Sequence, residues 1–175
     1  MTGQEDVAAT ERTKVLVTAA SRHGATAEIA QAIAEVLAGN GLDPAVVPPD
    51  EVHDLDPYDA VVLGSAVYAG HWLKPARALA DRCAPALRAR PVWLFSSGPV
   101  GDPAKPDEDP VDVAELLTLT GARDHHLFAG KLTGKQLSFP ERAIVSALHV
   151  PDGDFRDWPE IRRWATGIAT AAAGA

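Results

Sequence analysis

The chain has 175 residues, a net charge of −8 and an apolar content of 46%. This is the length of one domain and the composition of an ordinary globular protein. The negative charge argues against a binder of duplex nucleic acid, which needs a basic face. No apolar run approaches the roughly 18 residues of a membrane span, so we expect no integral membrane segment.

The cysteine and histidine content bounds the chemistry further. Cys83 is the one cysteine, so no disulfide can form within the chain, and a reducing, cytoplasmic compartment is favoured. The six histidines show no metal-ligand spacing. His125 and His126 are neighbours on a predicted strand and would point to opposite faces, so they cannot chelate as a simple pair. We therefore predict no metal site.

Two terminal stretches look different from the rest of the chain. Residues 1–12 are polar, mixed in charge and lack the apolar stretch of a secretion signal, so we predict a disordered lead-in. The Ala-rich tail from Ala171 is expected to be disordered as well. This leaves a single domain over residues 13–170.

The first predicted strand, turn and helix form the most informative stretch. Lys14 to Thr18 is apolar and β-branched, which predicts a buried strand, and Ser21 to Gly24 is a short polar turn. The helix begins at Ala25 and ends at the stop signal Gly39-Asn40-Gly41. Its apolar residues fall at helical spacing: Ile29, Ile33, Val36 and Leu37.

Four further strands are predicted, over Ala45–Val47, Ala60–Gly64, Pro91–Ser96 and His125–Phe128. Two prolines after the first of these favour an edge position. The segment Ala60–Gly64 is continuously apolar, as in a parallel sheet that is covered on both faces.

Helices are predicted between and after these strands. One begins near Trp72–Pro75 and runs to about Ala84, and another begins at Pro110 behind a possible Asp109 cap. Two more carry capping boxes, Ser138 with Glu141 and Asp157 with Glu160. Alternating strands and helices predict an α/β fold, a doubly wound five-stranded parallel sheet with strand order 2-1-3-4-5.

In such a sheet the ligand site lies beyond the carboxyl ends of the strands, where the strand order reverses. Three loops meet there: Ser21–Thr26, Ser65–Trp72 and Ser96–Asp102. The first can seat a phosphate, because first-turn N–H groups lack intrahelical partners and carry the positive end of the helix dipole. A plain strand-to-helix connection is the alternative.

Two aromatic residues stand in the second of these loops. Tyr68 and Trp72 beside a phosphate cradle suit a flat ring system that carries a phosphate tail. Packing is the alternative for both residues, and for Trp72, at the start of a predicted helix, it is the favoured one.

The sequence lacks the residues that other functions of this topology require. The positions after the first and third strands carry no carboxylate of the kind a phospho-acceptor domain needs, and Cys83 lies on a helix far from the phosphate loop. No Gly-rich dinucleotide turn, P-loop lysine or hydrolase nucleophile elbow is present.

The three loops resemble those of a known family. Ser21-x-x-Gly24-x-Thr26 is similar to the FMN phosphate loop of flavodoxins, with His23 where a threonine is usual. The segment Gly64–Leu73 resembles the ring-binding loop of the branch that includes menaquinone-dependent protoporphyrinogen oxidase, and Gly153–Trp158 is similar to the same branch. The chain is therefore identified as flavodoxin-like over about residues 13–169.

The resemblance implies one non-covalent FMN and a role as an oxidoreductase or electron carrier. The flavin carries the chemistry, so no catalytic side chain is expected. Ala69 or Gly70 would offer a backbone group to the reactive nitrogen of the flavin. The implied cofactor-binding residues are Ser21, Arg22, His23, Gly24, Ala25, Thr26, Ala66, Val67, Tyr68, Ala69, Gly70, Ser97, Gly98, Pro99, Val100 and Gly101.

Several points stay open at the level of sequence. Arg22 either pairs with the phosphate, together with His23, or is solvated. The partner is a redox protein or a small organic acceptor such as a quinone, and protoporphyrinogen rests on family analogy alone. The late segment Glu141–His149 is barely basic, which weakens a quinone or membrane role. A flavin-free protein-interaction module is the other hypothesis.

Overall fold

A computed structural model describes residues 12–68, 70–98, 110, 112–132 and 153–174. The strands are β1 (Lys14–Ala20), β2 (Asp43–Val46), β3 (Ala60–Tyr68), β4 (His71–Trp72), β5 (Val92–Ser97), β6 (Asp124–Phe128), β7 (Lys131–Leu132) and β8 (Gly153–Asp154). The helices are α1 (Ala25–Gly39), α2 (Lys74–Arg82), α3 (Ala84–Arg88), α4 (Val113–Thr120) and α5 (Trp158–Ala173). A 3₁₀ turn spans Pro49–Glu51.

The main sheet has the order β2-β1-β3-β5-β6, and the neighbours in this path are parallel. Strand β4 pairs antiparallel with the end of β3 and lies off this path. The five parallel strands, counted along the chain, therefore have the predicted order 2-1-3-4-5. A separate antiparallel pair joins β7 to β8.

The sheet has a hydrophobic core on each face. Val15 and Val17 of β1 pack in the cluster that contains residues of α1 and α5, whereas Leu16 packs in the cluster of α2, α3 and α4. This alternation follows from the two-residue period of a strand. Both faces are covered, as the continuous apolar runs predicted.

Several element boundaries differ from the prediction. Trp72 belongs to the short strand β4, and the helix begins at Lys74. Helices α2 and α3 are separate, with Cys83 between them as a buried residue. Helix α4 begins at Val113 behind Asp112, later than Pro110. The two-residue strands β4, β7 and β8 are too short to produce a periodic signal, which is why sequence missed them.

The predicted end of α1 and the predicted cap at the start of α5 are confirmed. Helix α1 ends at Gly39, with Gly41 at a positive φ of 86°. The Asp157 carboxylate accepts the N–H of Glu160 at 3.0 Å, which caps α5. That helix continues to Ala173, so the disordered tail predicted from Ala171 is wrong, since alanine has the highest helix propensity. The capping box at Ser138 and the lead-in residues 1–11 lie outside the described residues.

Among the described helices, none combines the length and apolarity needed to cross a membrane.

Candidate functional site

Three neighbouring strands bring the predicted loops together. Ala20 at the end of β1 pairs with Ser65 of β3, and Ser65 pairs with Ser96 of β5. Because these strands are parallel, the segments that follow them leave the sheet at the same edge. The predicted convergence of the loops after β1, β3 and β5 is thus built into the strand register.

The turn after β1 leads into α1, whose first backbone N–H groups have no partner within the helix. The N–H of Gly24 donates to Ser21 Oγ at 3.0 Å, which closes the turn. The first helical bond runs from Glu28 N–H to the Gly24 carbonyl at 3.0 Å. The N–H groups of residues 25–27 precede that bond, so they are the donors that a helix start offers to an anion.

The backbone conformation at residue 24 explains why this position of the turn carries a glycine. Gly24 has a φ of 89°, in the left-handed region that residues with a Cβ avoid. A Cβ added there would meet no atom within 4 Å among the described residues. The backbone conformation demands glycine, and the space beside it is open to a ligand. Thr26, in the first turn of α1, is only 2% exposed.

Arg22 links the first loop to the second. Its guanidinium carbon lies 4.7 Å from the centroid of the Tyr68 ring, within cation–π range. The sequence suggests only the phosphate or solvent as surroundings for this side chain, so the contact with Tyr68 is a finding of the structure. The contact spans the gap between the turn after β1 and the end of β3, so the two loops are coupled.

The second loop is the turn of a β3–β4 hairpin. Tyr68 pairs with His71, and Gly70 in the turn has a φ of 80°. Ala66, Val67 and Tyr68 are half-buried at the end of β3. Ala69 lies outside the described residues.

Trp72 has a structural role. It is 1% exposed, and its Nε1–H donates to Ser96 Oγ at 2.7 Å. A buried indole whose N–H is already satisfied offers no face to a ligand. The packing interpretation of Trp72 is therefore correct.

Asp112 fastens the hairpin to the start of α4. Its Oδ1 lies 3.1 Å from His71 Nδ1, and its Oδ2 accepts the backbone N–H of Trp72 at 2.9 Å. Burial raises the pKa of Asp112, but the hydrogen bonds from His71 and Trp72 and the nearby positive charges outweigh it, so the pKa lies below its usual range. Sequence offered no signal for this contact, because 41 residues separate Asp112 from His71.

The third loop begins at Ser97 and Gly98. Ser97 is buried, and Gly98 has a φ of 89° and donates its N–H to the Phe128 carbonyl at 2.9 Å. A Cβ added to Gly130 would lie 3.2 Å from Gly98, so these two glycines allow a close backbone approach. The remaining predicted residues of this loop, Pro99, Val100 and Gly101, lie outside the described residues.

Arg156 connects the segment before α5 to the start of α1, next to the first loop. Its side chain is 4% exposed, and it bonds to Asp154, to Glu28 and to the Ala25 carbonyl at 3.2 Å. The hydrogen bonds that Arg156 donates to Asp154 above all, and to Glu28, hold its pKa above the usual value despite its burial. The similarity of residues 153–158 to a flavodoxin branch pointed to this segment, but not to its contact with α1.

The described residues contain no group of three or more His, Cys, Asp or Glu side chains arranged to hold a metal ion.

Fold and site together define a class: a doubly wound α/β protein with a glycine turn and a helix start at the switch point and a tyrosine-bearing loop beside them. A sequence profile of the flavodoxin domain matches residues 16–157. The chain belongs to the flavodoxin domain family. A comparison with curated proteins finds no match.

Solved structures agree on the fold. A flavodoxin from the domain Archaea superposes with a TM-score of 0.63 at 20% identity, covering 92% of this chain and 99% of that one. A Streptococcus pneumoniae flavodoxin superposes with a TM-score of 0.61 at 19% identity, covering 93% and 99%. The rubredoxin oxygen:oxidoreductase of Desulfovibrio gigas gives 0.63 at 16% identity, covering 94% of this chain but 37% of that one. At these identities the likeness concerns the fold.

Proposed function

We propose that this protein binds one FMN without a covalent bond and passes electrons through it. The observation that carries the proposal is the turn at Gly24, where a left-handed glycine, free first-turn N–H groups and open space occur together. That donor set fits a phosphate dianion, which binds well at a helix N-terminus. Membership in the flavodoxin domain family supports a flavin as the bearer of that phosphate.

The phosphate end of FMN is assigned to the turn after β1. Backbone N–H groups and the hydroxyls of Ser21 and Thr26 would donate to the phosphate oxygens. The residues assigned to this end are Ser21, Arg22, His23, Gly24, Ala25 and Thr26. The guanidinium of Arg22 lies over Tyr68 in the structure. Its positive charge would therefore lie between the phosphate end and the ring end of FMN.

The ring end is assigned to the second and third loops. The residues are Ala66, Val67, Tyr68, Ala69 and Gly70 on one side and Ser97, Gly98, Pro99, Val100 and Gly101 on the other. Gly70 and Gly98, both at positive φ, permit the backbone to approach a flat ring closely. A bound flavin supplies one- and two-electron chemistry, while the chain orients it and sets its electrostatic surroundings. The overall charge of −8 disfavours an anionic reduced ring and lowers its potential.

The partner is proposed as either a redox protein or a small organic acceptor such as a quinone. The segment Gly153–Trp158, whose sequence is similar to that of the protoporphyrinogen oxidase branch, contacts the start of α1 through Arg156. Protoporphyrinogen as the substrate still rests on analogy with that branch.

The proposal is tested on the protein loaded with FMN. Reduction by dithionite under anaerobic conditions is expected to bleach the flavin absorption, and ferricyanide is expected to restore it with two electrons per flavin. A protein that carries no flavin and takes up none, or whose flavin cannot be reduced, would contradict the proposal. A matched sample of the Gly24→Val variant, whose turn is strained by the side chain, is expected to retain less flavin.

A further inference from the structure

His71 lies on the β3–β4 hairpin, whose turn is assigned to the ring end of FMN. It pairs with Tyr68 across the β3–β4 hairpin and directly follows Gly70, which is assigned to the ring loop. Its side chain is 51% exposed, whereas Trp72 next to it is buried. The hairpin therefore presents the imidazole at the surface from a rigid base.

Asp112 fixes the orientation and the proton of this imidazole. The carboxylate accepts the Trp72 N–H at 2.9 Å with one oxygen and lies 3.1 Å from His71 Nδ1 with the other. An ionised carboxylate only accepts hydrogen bonds, so Nδ1 must carry the proton that it donates. Nε2 is then the nitrogen that takes up and releases a proton on the exposed side of the ring.

Hydrogen bonds to β3 and β5 hold the residues that follow His71 in place. Trp72 Nε1–H donates to Ser96 Oγ at 2.7 Å, and the Leu73 N–H donates to Ser65 Oγ at 2.9 Å. The charged groups that act on Asp112 are His71 itself and Arg77 of α2. A carboxylate that orients a histidine by one nitrogen and leaves the other toward solvent is an arrangement suited to acid–base chemistry.

From this geometry we infer that His71 is a proton-transfer residue for an organic carbonyl acceptor, with Asp112 as its positioning residue. The inference rests on the proposed FMN function and deepens it, because an electron carrier alone needs no such group. A quinone that becomes a hydroquinone gains two electrons and two protons, of which a bound reduced flavin would supply both electrons and one proton as a hydride. The second proton leaves Nε2 of the His71 imidazolium as an O–H bond forms on the acceptor, and solvent then reprotonates Nε2.

The positioning is tested on the flavin-free protein. Nitrogen-15 NMR of the histidine rings is expected to show neutral His71 as the Nδ1–H tautomer. In Asp112→Asn the carboxylate acceptor is gone while the acceptor for the Trp72 N–H is kept, so the Nε2–H tautomer should gain population. Neutral His71 in the Nε2–H form in the unaltered protein would overturn the inference.

Proton transfer is tested on the FMN-loaded protein reduced with dithionite. Single-turnover oxidation is followed with two acceptors: menadione, a quinone that takes up protons, and ferricyanide, which takes an electron and no proton. His71→Gln is expected to slow the menadione reaction by about 100-fold, in keeping with lost general acid catalysis, and to leave the ferricyanide rate unchanged. The exposed His53 supplies the matched control, His53→Gln, which should change neither rate.

The pH dependence adds a readout that a merely structural role would not move. In the unaltered protein the menadione rate should fall with rising pH in step with the loss of a ring proton that NMR records for His71. In His71→Gln this fall should be absent. Equal losses with both acceptors, or no loss with either, would overturn the inference. A chain that binds no FMN would instead contradict the proposed function.

Discussion

Arg156 and Asp154 form a two-bond ion pair, with Nε to Oδ1 at 2.9 Å and Nη2 to Oδ2 at 2.7 Å. The same guanidinium bonds to Glu28 of α1 at 2.5 Å and lies 4.6 Å from the centroid of the Trp158 ring. One buried side chain thus joins the segment before α5 to the first turn of α1. The start of α1, which follows the turn proposed to bind the phosphate, is held by a residue from the far end of the chain.

Replacing Arg156 is expected to loosen that junction. Arg156→Met should lower the free energy of unfolding by about 1.5–3 kcal/mol, since it removes hydrogen bonds between charged groups from a buried side chain. Chemical denaturation measures the loss. The exposed Arg162 on α5 gives the control: Arg162→Met should stay within about 0.5 kcal/mol of the unaltered protein. Equal losses in the two variants would refute the role assigned to Arg156.

The ion pair also predicts a dependence of stability on pH. The hydrogen bond from Arg156 above all holds the pKa of Asp154 below its usual range. A carboxyl whose pKa is lower in the folded state adds stability above its unfolded pKa, and this is lost as the pH falls through the folded pKa. Unfolding measured from neutral to acid pH should therefore show a smaller acid-induced loss in Asp154→Asn. An unchanged acid limb would speak against this pair as a source of acid sensitivity.

A buried hydroxyl on β1 lowers the free energy of unfolding, so its removal should stabilise the protein. Thr18 is 0% exposed, and its Oγ1 has no hydrogen-bond partner among the residues that the structure describes. An unsatisfied buried hydroxyl costs about 1–3 kcal/mol. Thr18→Val keeps the shape and removes the hydroxyl, so it should raise the free energy of unfolding by about 1 kcal/mol. The reverse change at the buried Val17, Val17→Thr, should lower it.

Gly64 is required for packing, even though its backbone is that of an ordinary strand. A Cβ at this position would lie 2.3 Å from the ring of Phe95 on the neighbouring strand. Gly64→Ala should therefore cost about 1–3 kcal/mol of folding stability through overpacking. Gly39 near the end of α1 has open space, so Gly39→Ala should be neutral or slightly stabilising. Thermal unfolding of both variants tests the contrast.

The contact of Arg22 with Tyr68 predicts how Arg22 serves the flavin. Because Arg22 is assigned to the phosphate end and its guanidinium lies over Tyr68 of the ring loop, Arg22→Gln should weaken the binding of both FMN and riboflavin by a factor of about two to five, with the larger loss for FMN. Fluorescence titration with both ligands measures the two affinities. A loss confined to FMN, which alone carries the phosphate, would show that Arg22 is a phosphate ligand only.

Sequence reasoning succeeded where structure follows from local pattern. Short stretches of sequence encode the apolar run of β1, the stop at Gly39 and the Asp157 cap. The alternation of strands and helices indicated the parallel sheet, and five such strands favour the order that the structure has. The contacts that it missed join residues far apart in the chain. Arg156 and Glu28 are separated by 128 residues, and His71 and Asp112 by 41. Such pairs arise from packing, which a local pattern does not encode.

The most direct test of the central claim is a calorimetric titration of flavin-free protein with FMN. We predict a single site with one FMN bound per chain, and a weaker affinity in Gly24→Val, because a side chain at a φ of 89° distorts the turn that holds the phosphate. No heat of binding and no quenching of FMN fluorescence at saturating protein would contradict the claim. Binding of equal strength in Gly24→Val would show that the phosphate lies elsewhere.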